Sequence, residues 1–87
     1  MEKYEIIFAK SALKELLKIT TTDVKHIVEK IDLLAYEPRP IGAIKLKGSK
    51  TPLWIIRAGN FRIIYSIEDY IRIVEILSIG DRKDIYQ

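Results

Sequence analysis

The chain begins with a strand-like segment that is followed directly by a helical one. β-branched and aromatic residues dominate YEIIFA (4–9), which predicts a first strand. The next segment, SALKELLKI (11–19), repeats leucine at helical spacing, with Leu13, Leu16 and Leu17 on one face. This apolar face indicates a helix that packs on another layer of the protein.

A second helix is predicted after the threonines at 20–22. These threonines offer an N-cap, and Asp23 lies in the first turn, where the helix dipole favours a carboxylate. EPRP (37–40) ends the helix, because proline disfavours helical backbone in the residue before it. Between these signals the apolar positions follow a helical repeat, and they are Val24, Ile27, Val28, Ile31, Leu34 and Ala35. The two helices are therefore predicted to form a hairpin.

After Pro40 the apolar pattern becomes that of strands. The predicted strands are AIKLKG (43–48), PLWIIRA (52–58), FRIIYSI (61–67) and YIRIVEILSI (70–79), and the tail GDRKDIYQ (80–87) is predicted to be irregular or a short turn. Helices that precede a run of strands indicate the α+β class. We expect a single domain over 1–87: an N-terminal strand, a two-helix hairpin and an antiparallel meander of about four strands, forming one sheet with the helices on one face.

The dipeptide Gly59-Asn60 predicts the register of one hairpin. Glycine at the first central position suits a two-residue II′ turn, which places Arg57 opposite Arg62. Since side chains alternate between faces, the large apolar residues of these strands share the face predicted to pack on the helices. That set is Trp54, Ile56, Ala58, Phe61, Ile63 and Tyr65. The two arginines fall on the other face, where like charges directly opposite each other destabilise a sheet.

A similar two-residue turn at Glu68-Asp69 pairs Arg62 with Glu75, which then offsets the repulsion between the arginines. The face with the arginines also carries apolar residues, namely Ile55, Ile64, Ile73 and Leu77. Two interpretations stay open. Either another part of the fold covers this face and the cations are incidental, or the face is an open anion site with an apolar surround that binds a protein.

Charge is unevenly distributed along the chain. The net charge is +3, but residues 1–38 sum to −1 and residues 39–87 to +4, and all five arginines lie in the second part. Arginine suits bidentate phosphate contact, so a polyanionic partner is one interpretation and an ordinary solvated surface is the other. The chain has no cysteine, no apolar run of membrane-spanning length and no signal-peptide pattern, so we expect a cytoplasmic protein without membrane contact.

Most catalytic and cofactor motifs are missing from the sequence. There is no P-loop, no metal-ligand spacing and no serine with a plausible histidine partner, since His26 is alone and lies on the polar side of its helix. No cofactor or metal is therefore expected. Cleavage of RNA by its own 2′-OH still fits, because it needs only charge neutralisation, in-line alignment and proton transfer.

Four segments together resemble the RelE/ParE superfamily of toxin–antitoxin toxins, and within it the RelE branch. They are YEIIFAKSALKELLKI, PRPIGAIKLKG, LWIIRAGNFRIIYSI and IGDRKDIY, which cover nearly the whole chain. The resemblance implies a metal-independent endoribonuclease that cuts messenger RNA in the ribosomal A site. It also implies an acidic, helical antitoxin as partner, which contacts the helical hairpin and the rim formed by Ile55, Ile64 and Leu77, and operator DNA bound only through that antitoxin.

The resemblance also implies roles for individual residues. Arg62 matches the arginine that stabilises the scissile phosphate, with Arg57, Arg82 and Tyr86 as the other catalytic positions. Contacts to ribosomal RNA are expected from Lys45, Lys47, Lys50 and Lys83.

Two positions depart from the family pattern. Ile55 replaces a frequent lysine or arginine, and Asp81 replaces a frequent histidine, which leaves Asp81 as a candidate for proton transfer. Two alternatives therefore remain: a ParE-like toxin that poisons DNA gyrase without nuclease activity, and a non-catalytic module that binds RNA or antitoxin.

Overall fold

The computed structural model describes residues 3–48 and 50–81, and at Asp81 it describes the backbone alone. Within these ranges, two helices and five strands follow one another in the predicted order. They are β1 (Glu5–Phe8), α1 (Lys10–Leu17), α2 (Thr21–Leu34), β2 (Ile44–Leu46), β3 (Leu53–Ala58), β4 (Phe61–Glu68) and β5 (Ile73–Asp81). The predicted α+β class is therefore confirmed.

The predicted start of the second helix is also confirmed. Thr20 is the N-cap residue of α2, and its hydroxyl accepts a hydrogen bond from the backbone N–H of Asp23 at 3.4 Å. This bond satisfies one of the N–H groups that a helix leaves without a partner in its first turn. The helix ends at Leu34, before the EPRP segment.

All five strands belong to one sheet, in the order β1-β5-β4-β3-β2. The strands β2 to β5 form the predicted antiparallel meander, and β1 joins it by pairing parallel to β5. The crossover from β1 to β5 includes both helices, as a parallel connection requires a long return. The sheet is therefore mixed rather than purely antiparallel.

The main hydrophobic core lies between the helices and the face of the sheet that was predicted to meet them. Ile27, Ile31 and Leu34 of α2 are buried there with Ile63 and Tyr65 of β4. Trp54 and Phe61 are partly buried against the same cluster. The alternation of side chains along β3 and β4 therefore assigned this face correctly.

The register between β4 and β5 differs from the prediction. Glu68 is still part of β4 and pairs with Ile73, so the turn spans residues 69–72 instead of two residues. Arg72 closes this turn with φ +55°, a left-handed conformation that few residues other than glycine adopt. Nothing in the local sequence marks such a turn, because its left-handed position carries neither glycine nor asparagine.

A register shift between Ile64 and Tyr65 moves the pairing by one further residue. Ile64 pairs with Ser78 and Tyr65 with Ile76, so Leu77 is the extra residue of a bulge in β5. The longer turn places Glu75 opposite Ser66, and the bulge then places Arg62 opposite Gly80. The expected contact of Glu75 with the arginines is therefore wrong.

Helix α1 covers the edge of β5 beyond the end of β1. The Ser11 hydroxyl donates a hydrogen bond to the Leu77 carbonyl at 3.0 Å. The Glu15 carboxylate accepts a hydrogen bond from the Ile79 backbone N–H at 2.9 Å and another from the Ser78 hydroxyl at 3.3 Å. The bulged part of this edge thus finds its hydrogen-bond partners on α1.

Candidate anion-binding site

The two arginines of the β3–β4 hairpin lie directly opposite each other, as predicted. The pairs Ala58–Phe61, Arg57–Arg62 and Ile56–Ile63 fix the register. Gly59 has φ +63°, as the first central position of a II′ turn requires. The tight turn therefore holds two guanidinium groups on adjacent strands, on the face opposite the main core.

Glu75, the acidic residue that the sequence placed opposite Arg62, does not lie there. On β5 the residue opposite Arg62 is Gly80, which has no side chain and adds no charge. Arg57 is exposed and makes no hydrogen bond or ion pair with any residue in the described ranges. Within the described ranges, no carboxylate competes with an external anion for the guanidinium of Arg57.

Arg62 is more enclosed, with 7% of its surface exposed. Both arginines line a small depression at the tip of the hairpin, together with Gly59, Asn60 and Phe61. Its volume of about 10 Å³ leaves room for no more than a water-sized group. An anion would therefore rest on this surface rather than enter it, which suits a large ligand held in place by other contacts.

Part of the face that carries the arginines is buried. Ile55 is 4% exposed and Ser66 is 8% exposed, while Ile64 and Leu77 are half-buried. Ile55 therefore cannot form an exposed rim for a protein partner. Strand periodicity assigns side chains to a face, but it carries no information about what covers that face, which is why the expectation for Ile55 was wrong.

The predicted RNA-binding lysines lie apart from the arginines. Lys45 pairs with Trp54, so it belongs to the opposite face of the sheet, although it is exposed at the edge. Lys47 and Lys50 are exposed in the loop before β3, at the far end of that strand. Arg57 lies about 13 Å from the start of β3, at ~3.3 Å per residue. A ligand that contacts both groups must therefore be extended.

Sequence reasoning missed a polar cluster at the other end of the sheet. Arg39 binds the Asp69 carboxylate through two hydrogen bonds of 2.7 and 3.2 Å, and the Tyr4 hydroxyl donates to the same carboxylate at 2.6 Å. These two donors lower the pKa of Asp69 to about 2. Arg39 also stacks 5.5 Å from the centre of the Trp54 ring.

Arg39 differs from the exposed arginine of the hairpin, Arg57, in having a carboxylate partner. The positive charge of Arg39 is neutralised by its salt bridge to Asp69, whereas Arg57 has no carboxylate partner in the described ranges. Beneath this cluster, the buried Tyr65 hydroxyl donates a 2.7 Å hydrogen bond to the Pro38 carbonyl, and burial raises the pKa of Tyr65 to about 12. No local signal predicts these contacts, because the partners are 27 to 65 residues apart.

The remaining candidate positions are at the carboxyl end of the chain. The backbone of Asp81 pairs with Phe61, so β5 runs two residues further than predicted and ends beside the arginine pair. Arg82, Lys83 and Tyr86 lie outside the described residues. Among residues 3–48 and 50–81, no cluster of three His, Asp or Glu side chains could hold a metal ion.

Comparison with known proteins identifies the fold. A family model described as "ParE toxin of type II toxin-antitoxin system, parDE" matches residues 6–86. The chain belongs to the RelE/ParE superfamily of type II toxins. A RelE-like toxin protein of Escherichia coli is 30% identical over 87 residues, which cover 97% of this chain and 90% of that protein.

Solved structures of RelE–RelB complexes have the same fold as this toxin. The archaeal complex from Pyrococcus horikoshii OT3 matches with a TM-score of 0.81 and 30% identity, covering 92% of this chain and 96% of the other. The RelBE2 toxin–antitoxin complex of Mycobacterium tuberculosis matches with a TM-score of 0.81 and 26% identity, covering 92% and 99%. The toxin is thus structurally like RelE. None of its helices within the described ranges is long and apolar enough to cross a membrane.

Proposed function

We propose that this toxin is a ribosome-dependent endoribonuclease that cleaves messenger RNA in the ribosomal A site. The observation that carries the proposal is the cross-strand pair of Arg57 and Arg62 on the hairpin. Two adjacent cations stabilise a phosphate most strongly when its negative charge increases, as it does when the 2′-OH attacks. Arg62 is proposed as the main phosphate contact, with Arg57 beside it.

The shallowness of the site supports dependence on the ribosome. A depression of about 10 Å³ offers little surface for holding free RNA. The toxin must then rely on a substrate that is already aligned, and alignment itself contributes strongly to the rate of such reactions. Exposed Lys47 and Lys50, with Lys45 at the sheet edge, are proposed contacts to ribosomal RNA, and Lys83 is assigned to the same role from the resemblance alone.

The groups that move protons are proposed from the family pattern. Asp81 follows the glycine opposite Arg62, so its backbone is close to the phosphate site. Arg82 follows Asp81 directly in sequence and Tyr86 follows five residues after it, and both are assigned as catalytic by resemblance. An unperturbed aspartate titrates near ~4 and a tyrosine near ~10, so either one needs a shifted pKa to transfer protons at neutral pH.

We also propose that an acidic antitoxin binds and silences this toxin. The relatives from P. horikoshii and M. tuberculosis were solved as complexes with their antitoxins, which supports such a partner. Contact with operator DNA is then made by the antitoxin. A net charge of +3, concentrated in the second part of the chain, favours an acidic partner.

In vitro translation followed by primer extension tests the nuclease proposal. We expect cuts at fixed positions within A-site codons when toxin and ribosomes are both present, and none on free message. The second candidate is gyrase poisoning, which the match to the ParE family model favours. Induction of the SOS response with intact messages would support that alternative and contradict the nuclease.

A further inference from the structure

The outer edge of β1 presents backbone groups that the rest of the fold does not use. The N–H groups of Glu5 and Ala9 donate hydrogen bonds of 2.8 and 2.9 Å toward β5. Because backbone groups alternate between the two sides of a strand, those of Ile6 and Phe8 point away from the sheet. Among the described residues, none bonds to the outward N–H and C=O groups of Ile6 and Phe8.

Two contacts limit the length of this edge. At one end, the Tyr4 N–H donates a 2.7 Å hydrogen bond to the Ala35 carbonyl, so the end of α2 covers the strand there. At the other end, α1 begins at Lys10 and the chain leaves the plane of the sheet. The uncovered stretch is therefore confined to residues 6–8. Unpaired edges of this kind are templates for pairing with another chain.

A second copy of this chain fits the edge in one register. When two β1 strands run antiparallel about a two-fold axis at Ile7, Ile6 of each copy lies opposite Phe8 of the other. Both residues of such a pair exchange N–H···O=C bonds, so all of their outward groups are satisfied. An axis at Ile6 would instead require the Tyr4 N–H, which Ala35 already accepts. An axis at Phe8 would require Lys10, which is helical.

The side chains around this axis are complementary to themselves. Ile7 is 38% exposed and would meet Ile7 of the second copy, which buries an apolar cross-strand pair. Glu5 would lie opposite Ala9 and thus beside Lys10 of the second copy. Glu5 and Lys10 are exposed, and neither forms an ion pair within the described part of the chain. Two-fold symmetry brings these opposite charges together on both sides of the axis.

We propose that this toxin forms a symmetric dimer in which the β1 strands of two copies pair antiparallel about Ile7, with Glu5 of each copy beside Lys10 of the other. The proposal depends on the geometry of the edge and not on the nuclease function. In the sheet, β5 separates β1 from the strands that carry the arginine pair, so both anion-binding sites stay accessible in the dimer. A contact this small gives a weak association.

Sedimentation equilibrium combined with hydrogen exchange tests the dimer. Over protein concentrations from about 10 µM to about 1 mM, we expect a monomer–dimer equilibrium with a Kd of about 10⁻⁴ M. Exchange of the Ile6 and Phe8 amides should slow as the dimer forms, while the amides of β2, the other edge strand, keep their rates. A monomer throughout this range would overturn the proposal, as would protection of β2 instead of β1.

A lysine at the two-fold axis should weaken the dimer. Ile7→Lys removes the apolar pair and places like charges directly opposite each other, so the Kd should rise about tenfold or more. Ile44→Lys, at an exposed position on β2, is the matched control and should leave the Kd unchanged. Circular dichroism checks that both variants are folded. An unchanged Kd for Ile7→Lys, or the same rise for both variants, would contradict the assigned interface.

Exchange of the two charges tests the register. Glu5→Lys alone and Lys10→Glu alone should each raise the Kd about fivefold, because like charges then meet on both sides of the axis. An equimolar mixture of the two variants should associate as the unsubstituted protein does, since each contact joins a lysine with a glutamate again. If the mixture associates no better than either variant alone, the pairing of Glu5 with Lys10 is wrong.

Discussion

The side-chain carboxylate of Glu15 accepts a hydrogen bond from the backbone N–H of Ile79 at 2.9 Å. This contact joins α1 to the stretch of β5 that follows the bulge at Leu77. The bulge determines which residue lies opposite Arg62, so a helix far from the hairpin helps to set the surroundings of the anion-binding site. Glycine, rather than an acidic side chain, occupies that position.

Loss of the Glu15 contact should destabilise the protein. Glu15→Ala leaves the part-buried Ile79 N–H without its partner, which costs about 1–2 kcal/mol in the free energy of unfolding. Urea denaturation measures the change. Glu29→Ala, which removes an exposed carboxylate of α2, is the matched control and should change stability by less than about 0.5 kcal/mol. Equal losses in the two variants would contradict the role of Glu15.

Loss of either arginine of the hairpin should slow cleavage on ribosomes. Arg62→Ala is expected to lower the cleavage rate by about 10²–10³, because it removes a preorganised donor to the phosphate as its charge develops. Arg57→Ala should lower the cleavage rate less. Because the Arg57 side chain is exposed, this substitution should not alter the stability of the fold. Lys25→Ala on the exposed side of α2 is the control. Unchanged cleavage with Arg62→Ala would rule out its assigned role.

The hydroxyl of Tyr65 should contribute to stability through a single hydrogen bond. Tyr65→Phe preserves the buried ring but leaves the Pro38 carbonyl without its donor, at a cost of about 1–3 kcal/mol. Tyr70→Phe removes the same atom from a fully exposed side chain and should have no effect. Chemical denaturation of both variants compares the two, and a neutral Tyr65→Phe would show that this bond contributes nothing net.

The cluster around Asp69 should make the stability of the protein depend on pH in the acidic range. The pKa of Asp69 is lowered to about 2 in the folded protein, against ~3.9 for an unperturbed aspartate in the unfolded chain. Its stabilising effect is therefore present above pH ~4 and is lost as the pH falls from about 4 to about 2. Stability measured from pH 6 down to pH 2 should fall less steeply in Asp69→Asn. Parallel curves for the two proteins would contradict the cluster as its origin.

The turn at Gly59 should depend on the backbone freedom of glycine. Gly59 has φ +63°, and a Cβ placed there would meet no atom within 4 Å, so any cost of Gly59→Ala comes from backbone strain. We expect a loss of about 1–2 kcal/mol in unfolding free energy. Gly59→Asn should lose less, because asparagine tolerates positive φ better. A loss for asparagine as large as that for alanine would point to another cause.

Local sequence determined much of this fold. The helical repeat from Val24 to Ala35 and the cap at Thr20 were enough to predict α2, and Gly59-Asn60 was enough to predict the register that places Arg57 opposite Arg62. These features depend on side-chain periodicity and on the φ angles that a turn requires, both of which act over a few residues.

Only the tertiary structure decided what surrounds the arginines. The turn at residues 69–72 and the bulge at Leu77 exchanged Glu75 for Gly80 opposite Arg62, and α1 holds the bulged edge through Glu15. The Arg39–Asp69 pair likewise joins residues 30 positions apart and leaves Arg57 as an arginine with no carboxylate partner among the described residues. Contacts between distant segments form only when the whole chain packs, so no local pattern in the sequence encodes them.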